Sequence, residues 1–216
     1  MEPEKVKELL YKINDLIPEK QIRNYVLAAF EAASPEFFQV PASGSGKYHP
    51  PENNIVGGLG IHTVKVGLLG CEYARHYPGN CNEGVVIAAG LLHDIRKGNE
   101  NGEWKKYARD HALQAYEWLE QFDLKKDLKK RIRDSVRTHM SELSFPEQER
   151  ELAISGKLSL EQHILQFADQ TAAFKGASFI PGVSVVDLIH TLDDMEDLLY
   201  GCLDIAIENL YKPRNA

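Results

Sequence analysis

A chain of 216 residues with 43% hydrophobic and 26% charged residues has the composition of an ordinary globular protein, and it is long enough to bury a sizeable core. Its formal net charge of −7 gives no electrostatic footprint for nucleic-acid backbones, so we expect no long nucleic acid as a partner. Three widely spaced cysteines without a CxxC pair disfavour a disulfide framework and a thiolate zinc site.

Apolar residues recur every three or four positions along almost the whole chain, which predicts an all-α protein. The first predicted helix spans 3–16, and Pro18 separates it from a second helix that ends near residue 33. The charged, amphipathic beginning differs from a signal peptide, and no run reaches the roughly 18 apolar residues of a membrane helix. Together with the cysteine content, this predicts a cytoplasmic protein without membrane contact.

Residues 34–60 are rich in glycine, proline, serine and asparagine and predict a long loop. Loops of this length in compact domains are usually functional or disordered. The loop contains GSGK at 44–47, but a phosphate-binding P-loop needs a glycine where Pro41 stands and a hydroxyl residue where Tyr48 stands. We therefore predict no P-loop here.

Six further helices are predicted after this loop, at 61–77, 83–95, 104–122, 125–140, 159–175 and 183–211. Turn-forming residues separate several of them, and no repeat or low-complexity tract interrupts the series. The chain is therefore predicted to be a single-domain helical bundle. We divide it into N-terminal helices at 1–33 that pack on the core, a loop beside the site at 34–60, a core at 57–175 and a C-terminal helix at 176–216.

Several ionisable residues stand on helical faces that should point into the core. A single buried histidine is more often a core residue whose ring nitrogens find partners. An unpaired buried carboxylate is far less favourable, because it loses its hydration or must take up a proton. A metal cluster explains the whole set most simply, and imidazole with carboxylate suits Fe, Mn, Zn, Co or Mg. The set consists of His62, His93, Asp94, His111, His139 and Asp169.

The order and flanks of these residues resemble the HD-domain superfamily of metal-dependent phosphohydrolases, whose minimal motif is H…HD…D. The stretch GGLGIHT at 57–63 is similar to the family's GGLxxHT. LLHDIRK at 91–97 is similar to its LLHDIGK, with Arg96 in place of glycine, and FADQ at 167–170 resembles its closing alanine and aspartate. The resemblance covers about 57–175 and implies an HD-type helical bundle.

The resemblance also implies which residues bind metal. Some subgroups, among them HD-GYP phosphodiesterases, HD exoribonucleases and bacterial dinucleoside tetraphosphatases, add one histidine on each of two helices before the last aspartate. His111 and His139 occupy those places, although the GYP segment is absent. By this likeness two divalent ions are expected, of identity Fe, Mn, Co, Zn or Mg. The first would be held by His62, His93, Asp94 and Asp169, and the second by His111 and His139 with Asp94 bridging.

The activity implied by the resemblance is hydrolysis of a phosphoester by a metal-bound hydroxide, with a nucleotide or other small phosphorylated molecule as substrate. Asp94 and His93 would then be catalytic, and Lys97 would pair with the substrate phosphate as the family lysine does. The alternative for Lys97 is a cation that stabilises a helix C-terminus. Further candidates for substrate contact are Arg96 and, in the loop before the first ligand, His49 and Lys47.

Three other functions stay open at the level of sequence. A di-iron oxygenase of the same fold would use the same six ligands, but the Arg-Lys pair after the HD motif favours phosphate chemistry. An exoribonuclease-like phosphodiesterase is disfavoured because the chain is acidic and lacks predicted strands for a nucleic-acid-binding domain. A non-catalytic ligand sensor would not need the complete ligand set. The sequence does not predict an oligomeric state.

Overall fold

The computed structural model describes residues 3–43, 49–97, 110–144 and 146–173, and in these residues its regular structure is helical throughout. This confirms the all-α prediction. No helix of the described ranges combines the length and the apolar character needed to cross a membrane. The α-helices are α1 (Pro3–Asp15), α2 (Lys20–Glu31), α3 (Gly58–Arg75), α4 (Glu83–Leu92), α5 (His111–Trp118), α6 (Lys126–Thr138), α7 (Glu147–Ala153) and α8 (Leu160–Ala173). Short 3-10 turns lie at Pro35–Phe38, Pro51–Asn53, Leu119–Gln121 and Ser141–Leu143.

The helix boundaries differ from the predicted ones in several places. Helix α4 ends at Leu92, so His93 and Asp94 lie in the turn that follows it rather than inside the predicted helix at 83–95. Helix α7 was not predicted, because its segment EQERELA is polar and too short to show a period. The predicted C-terminal helix at 183–211 and the beginning of the predicted helix at 104–122 lie outside the described residues.

Helices α3 and α4 form the centre of the core. The Asn82 side chain caps α4 by accepting a hydrogen bond of 2.8 Å from the Val85 N–H. Every residue of α4 from Gly84 to Leu92 is buried, as expected for a helix that is apolar on all sides. Helix α3 packs against α1, α4 and α8, and α4 also contacts α6. His62 lies on one helix of this central pair, and His93 and Asp94 follow the other.

A glycine contact allows α3 and α4 to approach closely. A Cβ at Gly90 would lie only 3.2 Å from the Gly67 Cα, which is tighter than ordinary van der Waals contact. Both helices are also buried along most of their length. This close packing brings His62 on α3 next to His93 at the end of α4.

The described part of the predicted loop is folded back against α3. Three backbone hydrogen bonds join its two ends: Ala42 N–H donates to Asn53 at 2.7 Å, Gly57 N–H to Gln39 at 2.7 Å and Leu59 N–H to Val40 at 2.9 Å. The last residues of the predicted loop, from Gly58 onward, already belong to α3. Lys47 lies outside the described residues.

Gly58→Ala should lower the free energy of unfolding by about 1–3 kcal/mol, because the added methyl group overpacks the site. A Cβ at Gly58 would lie 2.1 Å from the backbone oxygen of Asn53, which already accepts the Ala42 N–H. Urea denaturation measures the change. Gly156→Ala is the matched control, since a Cβ there meets nothing within 4 Å. Equal denaturation midpoints for the two variants would contradict this packing.

Candidate metal centre

The structure brings all six predicted ligands together from three helices and from the turns that follow two others. His62 lies on α3, His93 and Asp94 follow α4, His111 begins α5, His139 follows α6 and Asp169 lies on α8. The histidines and Asp94 are at most 1% exposed, whereas the Asp169 side chain is 16% exposed. The cluster thus has a buried side and one carboxylate that reaches solvent.

The first group of ligand atoms gathers around Asp94 Oδ2. The Nε2 atoms of His62 and His93 lie 3.3 Å apart, and they are 3.8 and 3.4 Å from this oxygen. Asp169 Oδ1 lies 2.9 Å from His62 Nε2 and 3.7 Å from His93 Nε2. One ligand atom from each of His62, His93 and Asp94 lies within 4.8 Å of the others, so one ion could contact all three.

A second group gathers around the other oxygen of the same carboxylate. Asp94 Oδ1 lies 2.9 Å from His111 Nε2 and 3.6 Å from His139 Nε2. These two Nε2 atoms are 3.1 Å apart. Asp94 therefore offers one oxygen to each pair of histidines, which is the arrangement of a carboxylate that bridges two ions.

Hydrogen bonds to backbone oxygens determine which ring nitrogens of His93 and His139 can bind metal. The Nδ1 atoms of His93 and His139 lie 2.7 and 2.6 Å from the backbone oxygens of Gly90 and Val136. A carbonyl oxygen only accepts, so each Nδ1 carries the proton and each neutral ring presents the Nε2 lone pair to the cluster. Nitrogen lone pairs that face one another in a buried site repel unless a cation lies between them. Imidazole and carboxylate ligands together suit a divalent metal ion.

The pKa shifts of the buried histidines favour metal binding at two positions. Burial lowers the pKa of His62 and of His139, despite the opposing effect of nearby carboxylates. A histidine must be neutral to bind metal, so this shift assists ligation. Burial also acts on His93, but the carboxylates of Asp94 and Asp169 outweigh it and raise the pKa of His93.

The two carboxyl groups are held in their ionised forms. Burial opposes ionisation of Asp94, but Lys97, His93 and His111 keep the pKa of Asp94 well below its usual range. The pKa of Asp169 is also lowered, because its hydrogen bond to a histidine outweighs the effect of burial. Both groups are therefore available as anionic oxygen ligands.

The two cations after the HD pair point to different places. Lys97 Nζ lies 2.8 Å from Asp94 Oδ2. The backbone N–H of Lys97 also donates to the backbone oxygen of Asp94 at 2.8 Å. The Arg96 guanidinium instead lies over the Trp118 ring, 5.4 Å from its centroid. The structure thus places Lys97 at the centre and Arg96 against the end of α5, and a substrate role for either stays a prediction.

His49 lies directly against the first group of ligands. Its ring meets the His62 ring edge-on, with centroids 4.7 Å apart. His49 is only 7% exposed, and its Nδ1 has no hydrogen-bond partner in the described part of the chain. Burial lowers the pKa of His49 to about 3, so the ring is neutral near pH 7. The loop that precedes α3 therefore covers this end of the centre with an imidazole.

Comparison with known proteins agrees with this geometry. A protein-family model described as HD domain matches residues 59–173, which is more than half of the chain and includes all six candidate ligands. The comparisons with curated proteins and with solved structures gave no match. The family match confirms the resemblance that the motifs indicate.

Proposed function

The chain belongs to the HD-domain family, and we propose that it is a metal-dependent phosphohydrolase acting on a nucleotide or another small phosphorylated molecule. The family consists largely of metal-dependent hydrolases. One observation carries the proposal: the two oxygens of the buried Asp94 carboxylate face two separate pairs of histidine nitrogens. A single acidic side chain can therefore serve two adjacent cations, as two-ion phosphoester hydrolysis requires.

In this proposal the ligands divide between two positions. His62, His93 and Asp169 would hold one divalent ion, His111 and His139 would hold the other, and Asp94 would be the ligand that they share. Ions bound there would stabilise the negative charge of a phosphoryl group and lower the pKa of an attacking water. The protein itself supplies the ligand geometry, through the Nδ1 hydrogen bonds that orient His93 and His139.

We assign Lys97 to the substrate phosphate. Its side chain is 14% exposed and its Nζ lies 2.8 Å from Asp94 Oδ2, so the lysine borders both the carboxylate and solvent. A cation in this place can bind a phosphate oxygen beside the ions. His49, on the same side, can donate or accept a hydrogen bond to substrate with its neutral ring. Arg96 and Lys47 are further candidates for substrate contact.

The proposed compartment is a reducing cytoplasm, which the low cysteine content supports.

A substrate screen tests this function. Nucleotides, dinucleotides and generic phosphodiesters are incubated with the protein and each of Mn²⁺, Fe²⁺, Co²⁺, Mg²⁺ and Zn²⁺. We expect phosphoester cleavage with at least one pairing of a substrate with a metal. Cleavage should stop when the metal is chelated and recover when the metal is restored. Failure of every pairing would contradict the proposal. Substrate-dependent oxygen uptake without cleavage would instead identify a di-iron oxygenase, which the same six ligands can support.

A further inference from the structure

Lys65 is a buried charge that lies outside the metal centre. It stands on α3 three residues after His62 and is 1% exposed. Its Nζ donates to Glu52 Oε1 at 2.7 Å and to Asn53 Oδ1 at 3.1 Å. Burial lowers the pKa of Lys65, and the adjacent Glu52 carboxylate opposes that shift. The ammonium is therefore held inside the protein by two side chains of the preceding loop.

Stability alone is a poor reason for this arrangement. A buried ion pair loses hydration on both partners, and apolar residues of similar volume are often as stabilising or more so. Breaking such a pair from one side is nevertheless strongly destabilising, because a buried charge is left behind. The pair therefore fixes the position of the loop segment that contains Glu52 and Asn53 relative to α3.

That segment carries His49. The Asn54 side chain donates to the backbone oxygens of His49 at 3.0 Å and Pro50 at 3.1 Å. The Asn53 N–H donates to the same Pro50 oxygen at 3.0 Å. Residues 49–54 thus form one hydrogen-bonded unit, and holding Glu52 and Asn53 also holds the imidazole at its start.

Asn53 extends the same connection to the helix of Asp169. Its side chain is fully buried, and its Nδ2 lies 3.5 Å from the backbone oxygen of Ala172, three residues after Asp169 on α8. Its backbone oxygen accepts the Ala42 N–H at 2.7 Å. Asn53 therefore contacts the helices of His62 and Asp169 as well as the loop that covers the first position.

We propose that Lys65, Glu52 and Asn53 form a positioning clamp that holds His49 over the first metal position. The clamp sets the distance between the His49 ring and His62, and it acts on substrate only through His49. Its catalytic consequence rests on the proposed phosphohydrolase function, whereas its structural consequence does not.

Chemical modification tests the clamp without reference to activity. The full-length metal-free protein is treated with diethyl pyrocarbonate, and modification of each histidine is followed by mass spectrometry. In Lys65→Met, His49 should react at least about tenfold faster than in the wild type, because release of the loop exposes it. The exposed His76 is the internal reference and should react at an unchanged rate. Equal His49 rates in wild type and variant would overturn the clamp.

Two further variants keep this test decisive. Glu52→Gln weakens the same ion pair from its more exposed partner, since the Glu52 side chain is 20% exposed. It should also raise the modification rate of His49, and it replaces Lys65→Met if that variant does not fold. Arg75→Met is the matched control. Arg75 lies at the other end of α3, and its substitution breaks an ion pair with Glu83 of α4. We expect no change of the His49 rate in Arg75→Met, and a rise equal to that of Lys65→Met would overturn the inference.

A double-mutant cycle tests the catalytic consequence. With Mn²⁺-loaded protein and bis(4-nitrophenyl) phosphate, Lys65→Met and His49→Ala should each lower kcat/KM at least about tenfold without loss of metal. The double variant should be no slower than His49→Ala, because the clamp acts through His49. If the losses of kcat/KM in the two single variants multiply in the double variant, Lys65 does not act through His49 and the proposed route is overturned. A wild type that cleaves neither this ester nor any substrate of the screen with any of the metals would refute the proposed function instead, and the modification rates would still decide on the clamp.

Discussion

Asp94→Asn should remove metal from both positions and lower phosphoester hydrolysis at least about a thousandfold, because it removes the electrostatic stabilisation that both positions share. The substitution keeps the volume of the side chain but replaces an anionic oxygen with an amide nitrogen. Since Oδ1 and Oδ2 each face one pair of histidines, neither position keeps its shared carboxylate ligand. Metal content by elemental analysis and hydrolysis of the substrate found in the screen are the two measurements.

Asp127→Asn is the matched control for this prediction. Asp127 lies in the first turn of α6 with a side chain that is 73% exposed, and its contact with Arg131 is a surface pair. Such pairs contribute little to stability, so metal content and rate should stay at the wild-type values. Hydrolysis at the wild-type rate by Asp94→Asn would refute the metal mechanism.

Lys97→Met should lower kcat/KM about a hundredfold while both ions stay bound. The lysine lies 2.8 Å from Asp94 Oδ2, but it is a cation and is not a ligand to metal. Its removal therefore takes away a charge for the phosphate and leaves the ligand set intact. Steady-state kinetics and metal analysis of the same preparation distinguish these effects.

The outcome also decides between the two interpretations of Lys97. If the lysine only stabilises the end of α4, the variant should lose stability but keep its kcat/KM. Lys130→Met serves as the control, because this lysine is 72% exposed on α6 and pairs with Asp134 on the surface. An unchanged kcat/KM in Lys97→Met would refute its assignment to substrate.

The helical class and the membership of the central cluster could be predicted from the sequence for a physical reason. Histidines and aspartates that share a helical face with apolar residues must either be compensated in the core or disrupt it. The motif order then links residues as distant as His62 and Asp169 without any knowledge of the packing. The structure brings these side chains to within hydrogen-bond distance.

What could not be predicted depends on contacts that are distant in sequence or on short elements. Lys65 is the main example, because a lysine is expected to reach solvent and its partners lie in a loop whose path has no periodic signal. One signal was present: Lys65 follows His62 by three residues in the apolar stretch HTVKVGLLG, which places it on the same buried face. The exact end of α4 was missed because Ile95 is also buried and continues the apolar pattern.

The most direct measurement of the two-ion centre is the metal-to-protein ratio of anaerobically purified protein, for the wild type and for the double variant His111→Gln with His139→Gln. We expect about two transition ions per chain in the wild type and about one in the double variant, because only the second position loses its histidines. A wild-type ratio that stays at one ion under metal excess, or an equal ratio in the two proteins, would contradict a centre in which Asp94 serves two ions.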